Sequence, residues 1–178
     1  MKKENLGMSF IELILALAIA SILAGAAIYS LGHSKDANVK ACVNDINSMM
    51  DKVRISSMSK DPKPGLYIYW YNNAYYMKQA VNPTLSELDD SGTLISRDNV
   101  RIKGVVTGAS GGAWTVQNGL YLTVKFKRSN GALDSESGPF VNGRCIGYDY
   151  IEVSDLEGKI VYDINIVGLT GKHYIVRK

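Results

Sequence analysis

The sequence predicts an α+β chain, in which one long N-terminal α-helix packs on a head of antiparallel β-strands, as a sheet or a β-sandwich. Three observations predict it. After Glu12 no Asp, Glu, Lys or Arg occurs until Lys35, so 22 residues pass without a formal charge. From Lys35 to about Ser59 the apolar residues narrow to a stripe, Val39, Val43, Ile46, Met50 and Val53, at spacings of 4, 3, 4 and 3, which is one face of a helix. Beyond Gly65 the apolar residues alternate in short runs divided by Asn, Gly, Pro and Asp, the pattern of strands and turns.

The uncharged run reaches roughly 33 Å as a helix, enough for a hydrocarbon core of about 30 Å. Leu13, Ile14, Leu15, Leu17, Ile19, Ile22, Leu23 and Ile28 surround the axis, as in a membrane helix rather than a soluble amphipathic one. Glu12 at its head is the exception, because a carboxylate there is costly to desolvate without a positive partner. An uncleaved signal anchor accounts for Lys2, Lys3 and the span, but leaves the spacing of Gly7 and Glu12 unexplained.

The basic leader Met1-Lys2-Lys3-Glu4-Asn5-Leu6-Gly7, with Glu12 five residues after Gly7, resembles the processing signature of type IV pilins and type II secretion pseudopilins. The resemblance implies cleavage by a prepilin peptidase between Gly7 and Met8, methylation of Met8 as the new N-terminus, and a filament-assembly role for Glu12, which compensates the α-amino charge of a neighbouring subunit. Met8 stands where the family most often has Phe, and the helix lacks the Pro kink of many members, leaving Gly25 as the soft point. The implied organisation is a leader at 1–7, a transmembrane and filament-core helix at 8–34, an amphipathic helix at 35–60 and a head at 61–178. The implied partners are other pilin or pseudopilin subunits, the peptidase, an inner-membrane assembly platform and, before assembly, membrane lipid. The implied location is the cytoplasmic membrane, crossed once with the head outside, and then the filament.

Asp61-Pro62-Lys63-Pro64-Gly65 stops the helix after about 50 residues. Leu66–Tyr71 and Ala74–Val81 then read as a hairpin about Asn72-Asn73, and a polar loop follows to Asn99. Strands are expected at Arg101–Thr107, at Trp114–Val116 and at Leu120–Lys127, the last with Leu120, Leu122, Val124 and Phe126 inward and Tyr121, Thr123, Lys125 and Lys127 outward. A turn at Ser129-Asn130-Gly131 and a loop through Ser135–Pro139 precede strands at Ile146–Val153, Lys159–Val167 and Lys172–Lys178, with antiparallel neighbours. The helix stripe is available to cover the sheet. The strand with Phe126, the Asn-Gly turn, Gly158-Lys159-Ile160 and Gly171-Lys172 are similar to the GspH/FimT branch of minor pseudopilins and minor pilins, which implies a minor subunit with a sandwich-like head.

Lys and Arg number 20 against 17 Asp and Glu, and without the leader 18 against 16, a balance that gives no strong argument for nucleic acid. The branch resemblance still implies one alternative, a DNA-binding minor pilin for natural transformation using Lys172, Arg177 and Lys178. Enzymatic chemistry finds little material. Gly108-Ala109-Ser110-Gly111-Gly112 matches G-x-S-x-G and is followed by Asp163 and His173, yet no helix follows the serine as a nucleophile elbow requires. The two histidines, His33 and His173, are too few for a multi-His metal site. Glu87, Asp89 and Asp90, and separately Asp134 and Glu136, lack the alternating spacing of a calcium loop. No catalytic residue, metal or cofactor is therefore expected. Cys42 and Cys145 form either a disulfide or two buried thiols. Tyr67, Tyr69, Tyr71, Tyr75 and Tyr76 are read as cross-strand hairpin stabilisers before a partner-facing patch.

Overall fold

The computed structural model describes residues 10–97, 99–107, 112–141, 144–145 and 149–178; the side chains of 26–33, 97, 139–141 and 144–145 lie outside that description. The chain divides into two compact units, Met1–Lys35 and Asp36–Lys178. One helix, α1, runs Phe10–Ser59 over 50 residues and passes through Gly25.

In the second unit the predicted stripe is the centre of the core. Val39, Val43, Ile46, Met50 and Val53 are all fully buried, as is Cys42 on their flank. Ser57, one turn beyond Val53, is buried too, and its hydroxyl donates to the Pro64 carbonyl at 2.8 Å, so the helix end is tied to the segment that stops it.

The strands form two sheets. In one, β1 (Gly65–Tyr71) and β2 (Ala74–Ala80) make the expected hairpin, with Tyr71 opposite Ala74 and both Asn72 and Asn73 at positive φ. Asn tolerates that region better than other side chains, which is why the two-residue turn is possible. The 82–99 segment, expected as a loop, contains a 3-10 turn at Leu85–Glu87 and a strand, β3 (Thr93–Arg97), paired with β2. In the other sheet β4 (Val100–Val106) pairs with β5 (Gly112–Thr115).

The best-alternating run is shorter than predicted. Only Leu122–Val124 forms a strand, β6, flanked by single bridges at Gln117–Leu120 and Phe126–Leu133. It pairs with β1 and with β7 (Gly138–Val141), a strand where a loop was expected. β7 pairs in turn with the two-residue β8 (Arg144–Cys145). The last strands are β9 (Tyr150–Asp155), β10 (Val161–Val167) and β11 (Lys172–Arg177). The sheet orders are β3-β2-β1-β6-β7-β8 and β11-β10-β9-β4-β5, and every pairing is antiparallel.

The helix stripe, Leu66, Ile68, Leu122, Val124 and Phe126 from one sheet, and Ile102, Ile151, Val153 and Ile164 from the other share one core. A second cluster was not foreseen: Tyr121, expected to be outward, is buried with Leu88 and with Tyr67 and Tyr69 of the hairpin. The 82–91 segment covers them, and the Tyr69 hydroxyl donates to the Asp89 carbonyl at 2.6 Å. Burial and the nearby Asp89 push the Tyr69 phenol up to about 12, so it remains a donor.

Candidate functional site

In the first unit the feature that stands out is bare apolar surface. Phe10, Ile11, Leu13, Ile14, Leu15, Leu17, Ile19, Ile22 and Leu23 are all between 46% and 79% exposed. Consecutive positions of a helix point to different sides, so these residues clothe the helix all round. Soluble monomers rarely leave so much contiguous apolar surface in water. The Ser21 hydroxyl inside this run is bonded to the helix itself: Ser21 Oγ donates to the Leu17 carbonyl one turn back, at 2.7 Å. A Cβ added at Gly25 would meet nothing within 4 Å, so its smallness serves no packing in the chain itself.

Glu12 sits in the first turn of α1 with its side chain exposed. Gly7 and Met8 lie outside the described residues. Among the described residues no helix is long and apolar enough to cross a membrane; the described side chains of the apolar run end at Gly25 and resume at Ser34.

Residues 2–28 match the family model of the prokaryotic N-terminal methylation motif. The chain carries the prepilin signal of type IV pilins and pseudopilins. That match takes in Gly7, Met8 and Glu12 together and ends within the apolar run, so it identifies a processed, pilin-like subunit through its N-terminus and leaves the head to its own chemistry. No curated protein and no solved structure matches the chain.

Two of the three C-terminal cations of this pilin-like chain, Arg177 and Lys178, are engaged. Lys178 Nζ lies 2.7 Å from Asp163 and 4.7 Å from the Tyr150 ring centroid. The Asp163 bond raises the Lys178 ammonium above its usual range. Arg177 is 3.6 Å from Asp36 and stacks over Tyr162 at 5.7 Å. Lys172 is exposed.

Asp163 and His173 do not meet as members of a hydrolase triad. On the β10–β11 ladder Asp163 faces Val176 whereas His173 faces Ile166. The His173 ring points instead at α1, with Nε2 3.2 Å from the Asn47 carbonyl and 3.3 Å from Asp51, and Nδ1 3.2 Å from the Gly171 carbonyl. Ser110 lies outside the described residues.

The acidic residues of the turns have local uses. Glu87 accepts from the Thr84 amide at 2.7 Å, and this bond holds its carboxyl below the usual range. Asp89 is lowered by the hydroxyl and amide of Ser91. Asp134 pairs with Lys63 at 2.5 Å; burial raises its pKa, but that bond and the Glu136 amide outweigh it and leave the net shift downward. Glu136 pairs with Lys125 at 2.8 Å. No cluster able to hold a metal ion occurs among the described residues.

Cys42 is a free, buried thiol, so the disulfide alternative with Cys145 is not the state of this structure; the Cys145 side chain lies outside the described residues. Desolvation, with Asp45 nearby, pushes the Cys42 thiol up to about 12.

Clefts open on the head among the described residues. One, of about 330 Å³, is lined by Lys63, Lys125 and Arg128 among Asp61 and Glu136. Each of those cations already holds a carboxylate within 3.2 Å. Another, of about 290 Å³, lies between the two sheets beside the β1–β2 hairpin and is lined by Trp70, Tyr75, Arg101 and Gln117. Its residues come from distant segments, and the alternation of apolar and polar residues carried no sign of it.

Proposed function

We propose that this chain is a non-enzymatic structural subunit of a type IV pilus or type II secretion pseudopilus, minor rather than major, and akin to the GspH/FimT branch. In this reading the peptidase cuts after Gly7, Met8 is methylated, and the 8–34 helix holds the chain in the cytoplasmic membrane with the head outside. Assembly then moves that helix from lipid into a bundle of like helices. The observation that carries the proposal is the methylation motif at residues 2–28, whose described part from Phe10 onward lies on a helix clothed all round in exposed apolar side chains.

The physical case is one of complementary needs. The apolar surface is content in lipid or against other apolar helices, but not in water. A carboxylate in either surrounding gains from a cation beside it, and a neighbour's new α-amino group would be such a cation for Glu12. The carboxylate therefore favours the bundle.

Intact-mass measurement of the chain from cells with and without the peptidase tests the first step: the expected product begins at methylated Met8, and a product retaining Met1–Gly7 in peptidase-bearing cells refutes it. Glu12→Ala tests the second. It should insert into membrane at least as well as the parent yet enter filaments less, and unchanged entry would remove the role given to Glu12.

A further inference from the structure

The cleft between the sheets sets a cation and polar groups that have no partner among the described residues beside an aromatic wall. Its floor is apolar, from Val100, Val116 and the buried Tyr75. Trp70, half-buried, stands against Tyr75 with ring centroids 4.5 Å apart and an interplanar angle of 70°, which fixes the indole as one wall. Among the described residues, the side chains of Arg101, Thr115 and Gln117 and the Trp70 indole N–H take part in no hydrogen bond or ion pair. The contrast with the other arginines is informative. Arg54 donates to two carbonyls, Arg128 pairs with Asp61 and Arg177 with Asp36, so Arg101 is the exception among those whose side chains are described.

Three main-chain groups of the cleft are already paired within the head. The Val116 amide donates to the Ile102 carbonyl at 2.9 Å, the Val116 carbonyl accepts from the Tyr75 hydroxyl at 3.4 Å, and the Gln117 carbonyl accepts from the Leu120 amide at 2.8 Å. A peptide terminus is normally held through just such main-chain groups. The side chains offer the rest of the recognition: a guanidinium fork suited to a carboxylate, a hydroxyl and an amide that can both donate and accept, and an aromatic wall. The volume lies at the lower end for small-molecule sites.

The geometry points to a binding site for an acidic monosaccharide unit, a hexuronate, alone or within a polysaccharide. The carboxylate lies on Arg101, the ring hydroxyls on Thr115 and Gln117, and the carbon-bound hydrogens of one sugar face lie against Trp70. No such charge is asked of the fully paired cleft beside Lys125, so binding there is not expected.

The test is a ligand-observed NMR titration of the full chain in detergent micelles with glucuronate, glucose and N-acetyl-leucine. Glucuronate should bind saturably and glucose about tenfold or more weakly, the discrimination expected of one charge-assisted pair. Arg101→Gln should bring glucuronate down to the level of glucose while leaving glucose unchanged, and Gln117→Ala should weaken both. Arg101 is exposed, and the thermal transition of Arg101→Gln should match the parent. Failure of glucuronate to saturate, indifference of its binding to Arg101→Gln, or tighter binding of N-acetyl-leucine overturns the assignment, the last in favour of a peptide carboxylate.

Discussion

Gly171→Ala should be far more damaging than the same change at Gly158, although both glycines have left-handed φ, +65° and +70°. At Gly158 an added Cβ meets nothing within 4 Å, so the cost is the left-handed backbone alone, about 1–2 kcal/mol. At Gly171 the same atom would lie 1.8 Å from the Gly131 carbonyl oxygen and 3.0 Å from Phe126. That oxygen accepts from Arg54 Nε at 3.1 Å, and the Thr170 carbonyl next to Gly171 accepts from Arg54 Nη2 at 2.9 Å. The helix thus clamps the 127–131 and 167–171 turns together, and the new methyl must push them apart.

Overpacking of this kind costs about 1–3 kcal/mol, and disturbing a charge-assisted bond of a partly buried arginine adds about 1 kcal/mol, taken below the usual range because of solvent. The excess of Gly171→Ala over Gly158→Ala is therefore about 2–4 kcal/mol, or roughly 5–15 °C in Tm for a unit of this size. Thermal unfolding followed by near-ultraviolet circular dichroism of the full chain in detergent reads it, since most of the tyrosines and both tryptophans belong to the head. Equal losses in the two variants would refute the close approach of the turns and the clamp built on it.

Duplex DNA should bind the head weakly and be released by salt, because Arg177 and Lys178 already hold Asp36 and Asp163. With a slope of about −0.9 per phosphate contact, a salt titration of parent and Lys172→Ala/Arg177→Ala checks this, and micromolar binding in physiological salt that the double variant loses would instead favour DNA uptake. Native Cys42, buried and raised to about 12, should resist alkylation at neutral pH and react once the chain is unfolded, as peptide mass mapping would record. Asp134 has a lowered folded-state pKa against 3.8 unfolded, so its contribution is complete above that value and is lost as the pH falls through the folded pKa. Urea midpoints measured from about pH 6 to pH 2 should therefore differ most between parent and Asp134→Asn at the upper end and converge at the lower.

The parts legible in the sequence were those set by local periodicity. The stripe from Val39 to Val53 fixed which helix face is buried, and Asn72-Asn73 fixed the hairpin, because each signal is carried by residues that also touch in the fold. The misread parts depend on what lies opposite. Tyr121 and Thr123 alternate outward as a sheet with one wet face requires, but both are buried, Tyr121 in a cluster with Leu88 of the 82–91 segment. A segment rich in Glu87, Asp89 and Asp90 looks like a solvated loop until its side chains are seen bonded to Thr84, Ser91 and Lys78, leaving Leu88 free to face inward. β3 and β7 are strands by virtue of their partners, β2 and β6, more than by any pattern of their own.

The two sites differ in legibility for the same reason. Gly7, Met8 and Glu12 sit close together in sequence, and a carboxylate heading an uncharged run contradicts a simple membrane span strongly enough to demand an explanation. The cleft assembles Trp70, Arg101, Thr115 and Gln117 from separate strands and turns, and each is unremarkable where it stands in the chain. Its signal is that Arg101 has no carboxylate, and only the fold can give that, because it depends on where every acid has gone: Asp155 to the amides of Lys159 and Ile160, and Glu152 to Lys103. Val153 and Ser154 lie between those two acids on β9, and it is Ser154 that faces Arg101 across the β4–β9 ladder. A shift of one residue in that register would set a carboxylate opposite the guanidinium, and the cation of the cleft would then be neutralised in advance.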